Sequence, residues 1–424
     1  MQTNTRTAGS LLLAVLLVSC LLLPACGGKK SGSSSPASGG KNDVQLTFWN
    51  TMSRIESQGI SEILETFSSQ NPTTSINMEW VHFYQARDKF EQAMKAGVLP
   101  DVFRADRFWI SQFVEAGYLE ELPLDEIRDE IDDLLPIARQ IVFVQDKCYG
   151  VPQTLDCLGI FYNRAHFRDA GVTPPDDFDA FKIAAQKNTD SGKGRYGFFM
   201  HPEGWWFEPI LFGFGGRYFE DGKLVLHSEH TLKASHFLLE MKEGSKVMPP
   251  VNLRGNTYDL MMQSFKNGQV SMIFNGPWAI RDLLEGSAFK DKTDNLGVAM
   301  MPKGPAGRFS PVGCQSYVIP KGTKHKAEAL KLIKYLCSAD IEGAMAKNNY
   351  GIPARKSLFS DPELNKDPFL SPFLRQIQEK QTLDSSMRVQ KLYNAVGVFL
   401  RKVLNGDLSP EDALKDLETS WDKR

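Results

Sequence analysis

Apolar and polar positions alternate in two rhythms once the chain passes residue 43. Val44, Leu46 and Phe48 recur at every second position, the period of a half-buried strand, and Ile60, Ile63, Leu64 and Phe67 then follow the i, i+3, i+4, i+7 spacing of a helix face. Asn71-Pro72 stops that helix. Ile76, Met78 and Trp80 alternate again, Phe90 and Met94 share another helical face, and Pro100-Asp101-Val102-Phe103 opens a third short strand. Strand, helix, strand, helix, strand predicts a mainly parallel sheet covered on both faces. The alternation resumes after Cys157, with helices expected at Phe178 to Lys187, Thr231 to Glu243 and Ala327 to Leu336. No short-period repeat interrupts it, which argues against a solenoid.

The N-terminus follows a different pattern. Leu11 to Leu23 is a nearly unbroken apolar run of thirteen residues, too short to span a bilayer comfortably and suited to the apolar region of an export signal. It ends in Leu23-Pro24-Ala25-Cys26, which resembles a bacterial lipobox and makes Cys26 the expected lipidation site. Leu17-Val18-Ser19-Cys20 fits the local pattern too, but cleavage there would leave three leucines at the new terminus. Ten of the fifteen residues from Gly27 to Lys41 are Gly or Ser, a composition that cannot bury enough apolar surface to fold. As a coil this stretch spans about 20 Å, the reach of a short tether. The expected order is therefore a signal peptide over 1–25 and a lipid-anchor tether over 26–42, in a protein anchored to a membrane of the bacterial cell envelope and facing the periplasm or the exterior.

At 424 residues the chain exceeds what one hydrophobic core usually organises, so two lobes are expected. Its 49 basic and 51 acidic residues leave a formal charge of -2, and this balance argues against a nucleic-acid partner. Beyond Cys20 and Cys26, Cys148, Cys157, Cys314 and Cys337 remain, which could pair in three ways or stay buried and free. His227, His230 and His236 are the only clustered histidines; they lie about a helix start, without the convergent ligand set a metal needs. Trp49-Asn50-Thr51-Met52, after the first strand, lacks the glycines of a phosphate loop, and no Gly-x-Ser-x-Gly elbow occurs. Neither cofactor nor metal is expected.

Ligands of open parallel sheets bind beyond the carboxyl ends of strands, which singles out Arg104-Ala105-Asp106-Arg107-Phe108-Trp109. Three further segments stand out: Gly150 to Arg164, containing Asp156 and Tyr162-Asn163; Pro202-Glu203-Gly204-Trp205-Trp206-Phe207-Glu208-Pro209; and Ser271-Met272-Ile273-Phe274-Asn275-Gly276-Pro277-Trp278-Ala279. Together with Ala105-Asp106-Arg107-Phe108, and in this order, they resemble the maltose-binding branch of the extracellular solute-binding proteins that serve ATP-driven sugar importers. The resemblance runs from Val44 to the C-terminal helices. It implies an α/β, periplasmic-binding-protein-like fold: two doubly wound lobes joined by a hinge, with a ligand cleft between them. The expected divisions are 43–154 with 312–354, and 155–311 with 355–424, with crossovers near Thr154 to Leu158, Arg308 to Gly313 and Ile352 to Arg355.

The same resemblance implies that Asp106 and Arg107 bond hydroxyls from one lobe, and that Asp156 stands in for an acidic contact beside the first crossover. Trp205, Trp206 and Trp278 would supply stacking surface from the other lobe. Asn50 falls at the strand end that touches ligand in the family, and the family's C-terminal aromatic contact falls nearest Tyr393, outside the main set. These types suit a sugar. Carboxylates and a guanidinium replace the water partners of its hydroxyls, each of which would cost about 1 to 3 kcal/mol if buried unmatched, and indole covers its C–H faces. The implied function is an ABC-importer binding protein for a maltose-like di- or oligosaccharide, monomeric, not an enzyme, and partnered by permease subunits. A two-lobed binder of a phosphorylated polyol, polyamine or metal complex, or a secreted glycosidase using Asp106 and Asp156, are the alternatives.

Overall fold

The computed structural model of the chain describes residues 44–382 and 387–421. The signal peptide, Cys20, Cys26 and the tether over 26–42 lie outside the described residues. Asn42 to Arg424 forms one compact unit.

The first strand, β1 (Val44–Asn50), buries Leu46 and Phe48 on one face and, towards its end, Trp49 and Asn50 as well. A capping box starts α1 (Arg54–Gln70): the Ser53 hydroxyl accepts from the Glu56 amide at 3.2 Å while the Ser53 amide donates to Glu56 Oε2 at 2.8 Å. This reciprocal pair satisfies two amides that a helix start leaves open. Ile60, Leu64 and Phe67 are the buried stripe of α1, as the periodicity predicts. Next come β2 (Thr74–Trp80), α2 (Phe83–Ala96) and β3 (Val102–Asp106), followed directly by α3 (Arg107–Glu115). β1 pairs parallel with both β2 and β3, so the predicted parallel βαβαβ unit is present.

The long strand Phe309–Val318 completes this sheet and sets its geometry. Buried along its whole length, it runs antiparallel to β3 and to the strand Val151–Cys157, with Gln315 opposite Asp106 and Gly313 opposite Asp156. Ile352 joins the same bundle of strands, its carbonyl accepting from the Leu155 amide at 2.8 Å. The three segments singled out as crossovers therefore run beside one another.

A second, three-stranded sheet is centred on Gly159–Asn163, flanked by Met272–Asn275 and Leu296–Ala299. These ladders are antiparallel, and parallel bridges from Tyr196 and Phe199 to Val270 and Ile273 extend the sheet. Apolar periodicity reports burial and is silent on strand direction. Of the later helices, Phe178–Asn188 and Lys326–Leu336 match the expected spans, while the stretch expected from Thr231 to Glu243 is a helix over Glu229–Leu239 that widens into a π-turn over Glu240–Gly244. Cys148, Cys157, Cys314 and Cys337 are all buried and unpaired.

Candidate ligand cleft

A cleft of about 570 Å³ opens where the ends of β1 and β3 meet the loops and helix starts around the second sheet. On the first-sheet side its floor is a polar network. Asp106 ends β3 and caps α3, with Oδ1 accepting from the Phe108 amide at 3.0 Å and Oδ2 from Gln315 Nε2 at 2.8 Å. It is thus both a helix cap and a cleft residue. Arg104 donates from Nε to Gln153 Oε1 at 3.0 Å and from Nη1 to Thr51 Oγ1 at 3.2 Å, while Thr51 donates to the Arg104 carbonyl at 2.9 Å.

Asp156 reaches the cleft because its cross-strand neighbour is Gly313. A Cβ there would fall 1.9 Å from Asp156 Oδ1, so any side chain would evict the carboxyl. Burial and then the charge of Asp106 push the Asp156 carboxyl up to about 7, against the pull of Arg104 and Arg107. Asp106 is itself raised by burial, opposed by the Phe108 amide, Arg107, Gln315 and Arg104. A carboxyl near neutrality can donate as well as accept, which suits a partner hydroxyl.

The facing wall is aromatic. Trp205 and Trp206 open the helix Gly204–Gly213. Trp206 is locked by donating from Nε1 to the Phe274 carbonyl at 3.0 Å, and Trp278 donates to the Tyr258 hydroxyl at 3.1 Å. Trp278 lies back over Gly276, where a Cβ would come within 1.9 Å of its ring. Trp205 meets Tyr393 edge to face at 6.0 Å, and the Tyr393 hydroxyl donates to Glu208 Oε2 at 2.6 Å. Glu203, just ahead of this helix, is pushed up to about 7 by burial, opposed by the Trp205 amide and Arg401.

Asp106, Asp156, Trp205, Trp206 and Trp278 all line one cleft, as does Tyr393. Arg107 and Asn50 do not. Arg107, at the first position of α3, is turned inward, its guanidinium stacked over Phe108 at 4.0 Å and reaching towards Trp205 at 5.9 Å. The arginine beside Asp106 in the cleft is Arg104, two residues earlier on the strand. Asn50 is fully buried and spends its amide on the turn after β1: Nδ2 donates to the Ser57 hydroxyl at 3.0 Å, and Oδ1 accepts from the Met52 amide at 3.1 Å. The next residues, Thr51 to Ser53, are the ones that face the cleft. Gln315, Tyr258, Arg104 and Glu203 also line it, each brought there by its own element. His227 and His236 contact Glu418 and Glu411 separately, at 3.1 and 3.2 Å.

The model of a family described as bacterial extracellular solute-binding protein matches residues 53–342. Among curated relatives, the maltotriose-binding protein of Pyrococcus abyssi is 25% identical over 376 residues, covering 85% of this chain and 77% of its own. The galactooligosaccharide-binding protein of Bacillus subtilis is 24% identical over 408 residues, covering 93% and 92%. Among solved structures, the GacH receptor of Streptomyces glaucescens, determined unliganded and with acarbose, superposes with a TM-score of 0.83 at 28% identity over 90% of this chain and 98% of its own. Maltose-bound T. maritima MalE3 superposes at 0.79 with 24% identity, covering 89% and 99%. With its periplasmic-binding-protein-like α/β fold and a cleft between the two sheets, the chain belongs to the bacterial extracellular solute-binding protein family.

Proposed function

We propose that this protein is the extracytoplasmic binding component of an ABC importer, anchored through Cys26, and that it captures a maltose-like di- or oligosaccharide in the cleft and hands it to the permease. One observation carries the reading: the carboxyls of Asp106 and Asp156 line the same cleft as the indoles of Trp205, Trp206 and Trp278. Acceptors and an arginine at the hydroxyl edge, with indole against the C–H faces, are the two surfaces a pyranose needs. Relatives that bind maltotriose and galactooligosaccharide by name, and acarbose in the GacH structure, support the same cargo class.

Delivery rests on closure. Residues 43–154 with 312–354 form one lobe in this reading and 155–311 with 355–424 the other, crossing near Thr154 to Leu158, Arg308 to Gly313 and Ile352 to Arg355. A sugar touching both lobes binds the closed form more tightly, and that differential affinity shifts the population towards closure. The protein acts as a monomeric carrier and returns its sugar intact. A heat-stability screen against maltodextrins, galactooligosaccharides, phosphorylated sugars and polyamines tests the cargo class. A neutral oligosaccharide at 100 times its dissociation constant should stabilise the fold by about 2.7 kcal/mol. Stabilisation by a polyamine or phosphorylated sugar alone would overturn the assignment.

A further inference from the structure

A side-chain hydrogen bond joins the two candidate lobes through a residue that does not line the cleft. Arg281 lies in the short helix Ile280–Leu284, just after Trp278, and donates from Nη1 to Asn349 Oδ1 at 2.9 Å. Asn349 ends the helix Ala339–Asn349. Arg281 thus falls in 155–311 and Asn349 in 312–354, on opposite sides of the proposed division. Asn349 and Glu56 line the cleft, whereas Arg281 does not.

The Asn349 amide is turned to receive this bond. Its Nδ2 donates to the Glu56 carbonyl of α1 at 3.1 Å and towards Met345 Sδ at 3.6 Å, which leaves Oδ1 to accept from the guanidinium. Gly59, inside α1, faces the same amide: a Cβ there would come 3.0 Å from Oδ1 and 3.2 Å from Nδ2. Glycine within a helix is less favourable than alanine, so this one trades helix stability for room beside Asn349. The helix Ile280–Leu284 also packs against α1.

Asn349 stands, moreover, at the root of the third candidate crossover. Tyr350, next in the chain, holds a left-handed backbone at φ 60°, which is unfavourable for a bulky side chain. Gly351 then passes Thr154 so closely that a Cβ would fall 2.9 Å from its Oγ1. The Arg281 bond therefore grips one lobe beside the segment about which a hinge would turn. It is a bond to a charged donor, stronger than a neutral one, and it exists only while the lobes are together. An interaction made in one form alone shifts the population towards that form. We propose that Arg281 and Asn349 are a sugar-independent latch, which favours the closed form whether the cleft is filled or empty and so raises the affinity for every sugar through an arginine that no sugar touches. This rests on the two-lobe, sugar-binding reading above.

Solution scattering of the purified full chain without and with sugar, and calorimetry with maltotriose, maltotetraose and a galactotriose, test it. The proteins compared are the unaltered chain, Arg281→Ala, Arg281→Lys and Gly59→Ala. Without sugar, Arg281→Ala should have the larger radius of gyration, and under saturating sugar the two should coincide. Each sugar that binds should lose affinity by one common factor, about tenfold. Arg281→Lys, which keeps the charge and a single donor site, should recover part of both effects. Gly59→Ala, which disturbs Asn349 from the other lobe with Arg281 in place, should reproduce them. Sugar-free dimensions that Arg281→Ala leaves unaltered would overturn the latch. Losses that differ from sugar to sugar would do the same, since Arg281 would then be meeting the sugar itself. If the unaltered protein compacts on binding and Arg281→Ala matches it throughout, the latch falls and the sugar reading stands. If none of the sugars binds the unaltered protein, the sugar reading falls, and the sugar-free scattering alone decides the latch.

Discussion

Asp156 and Glu203 are carboxyls carried to about 7 by burial, and Glu342, beneath the segment Ile352 to Arg355, is carried to about 8 by burial against the pull of the Ala354 amide and Arg355. Each binds a proton in the folded chain that the unfolded chain, with ordinary carboxyl values near about 4, has already released. The stability these groups contribute is therefore complete below about pH 4 and is lost as pH rises through about 7 to 8. Melting temperature without sugar should fall between about pH 4.5 and 8, and Asp156→Asn should remove part of that slope. A slope unaltered by the substitution would show that Asp156 titrates as an ordinary carboxyl. At this scale the sequence is informative about residue type and poor on direction. Asp106 and the three tryptophans reach the cleft, whereas Arg107 and Asn50, adjacent in sequence to cleft residues, turn inward because a helix start and a strand end aim successive side chains to different sides.

Between elements, the decisive contact is the pairing of Val151–Cys157 with Phe309–Val318, which sets Gly313 opposite Asp156. Gly313→Ala would place a methyl group where the carboxyl lies, so either the strands part or Asp156 leaves the cleft. Overpacking of this kind costs about 1 to 3 kcal/mol. We expect urea denaturation to register that loss together with weaker sugar binding. Full affinity at reduced stability would mean that Asp156 does not meet the sugar. The helices and the first three strands were legible because their periodicities are local. Gln315 and Tyr258 were not, since each enters the cleft only through pairing or packing between segments distant in sequence, and Arg104 was legible only as part of its segment, with its neighbour Arg107 taken for the contact. Cysteine spacing likewise left pairing open, and packing leaves all four thiols of the body buried and free.

For the molecule as a whole, the proposed delivery to a permease requires that the two sheets approach each other when sugar binds. Cys157 pairs with Val312, and the Leu155 amide donates to the Ile352 carbonyl, so the candidate crossovers lie side by side in one bundle, the place where a hinge motion would have to turn. Saturating sugar should reduce the radius of gyration in solution scattering. Unchanged dimensions would remove the hinge from the account while leaving the cleft.

The claim beneath all of these is that one cleft, walled by indole and floored by carboxyls, binds a neutral oligosaccharide. Calorimetry with maltotriose and a galactotriose, on the unaltered protein and on Trp278→Ala, tests it most directly. The account predicts one site per chain for one of the two sugars, weakened on the order of 10- to 100-fold when the Trp278 ring is removed. Absence of binding by both sugars, or binding indifferent to Trp278, would contradict it.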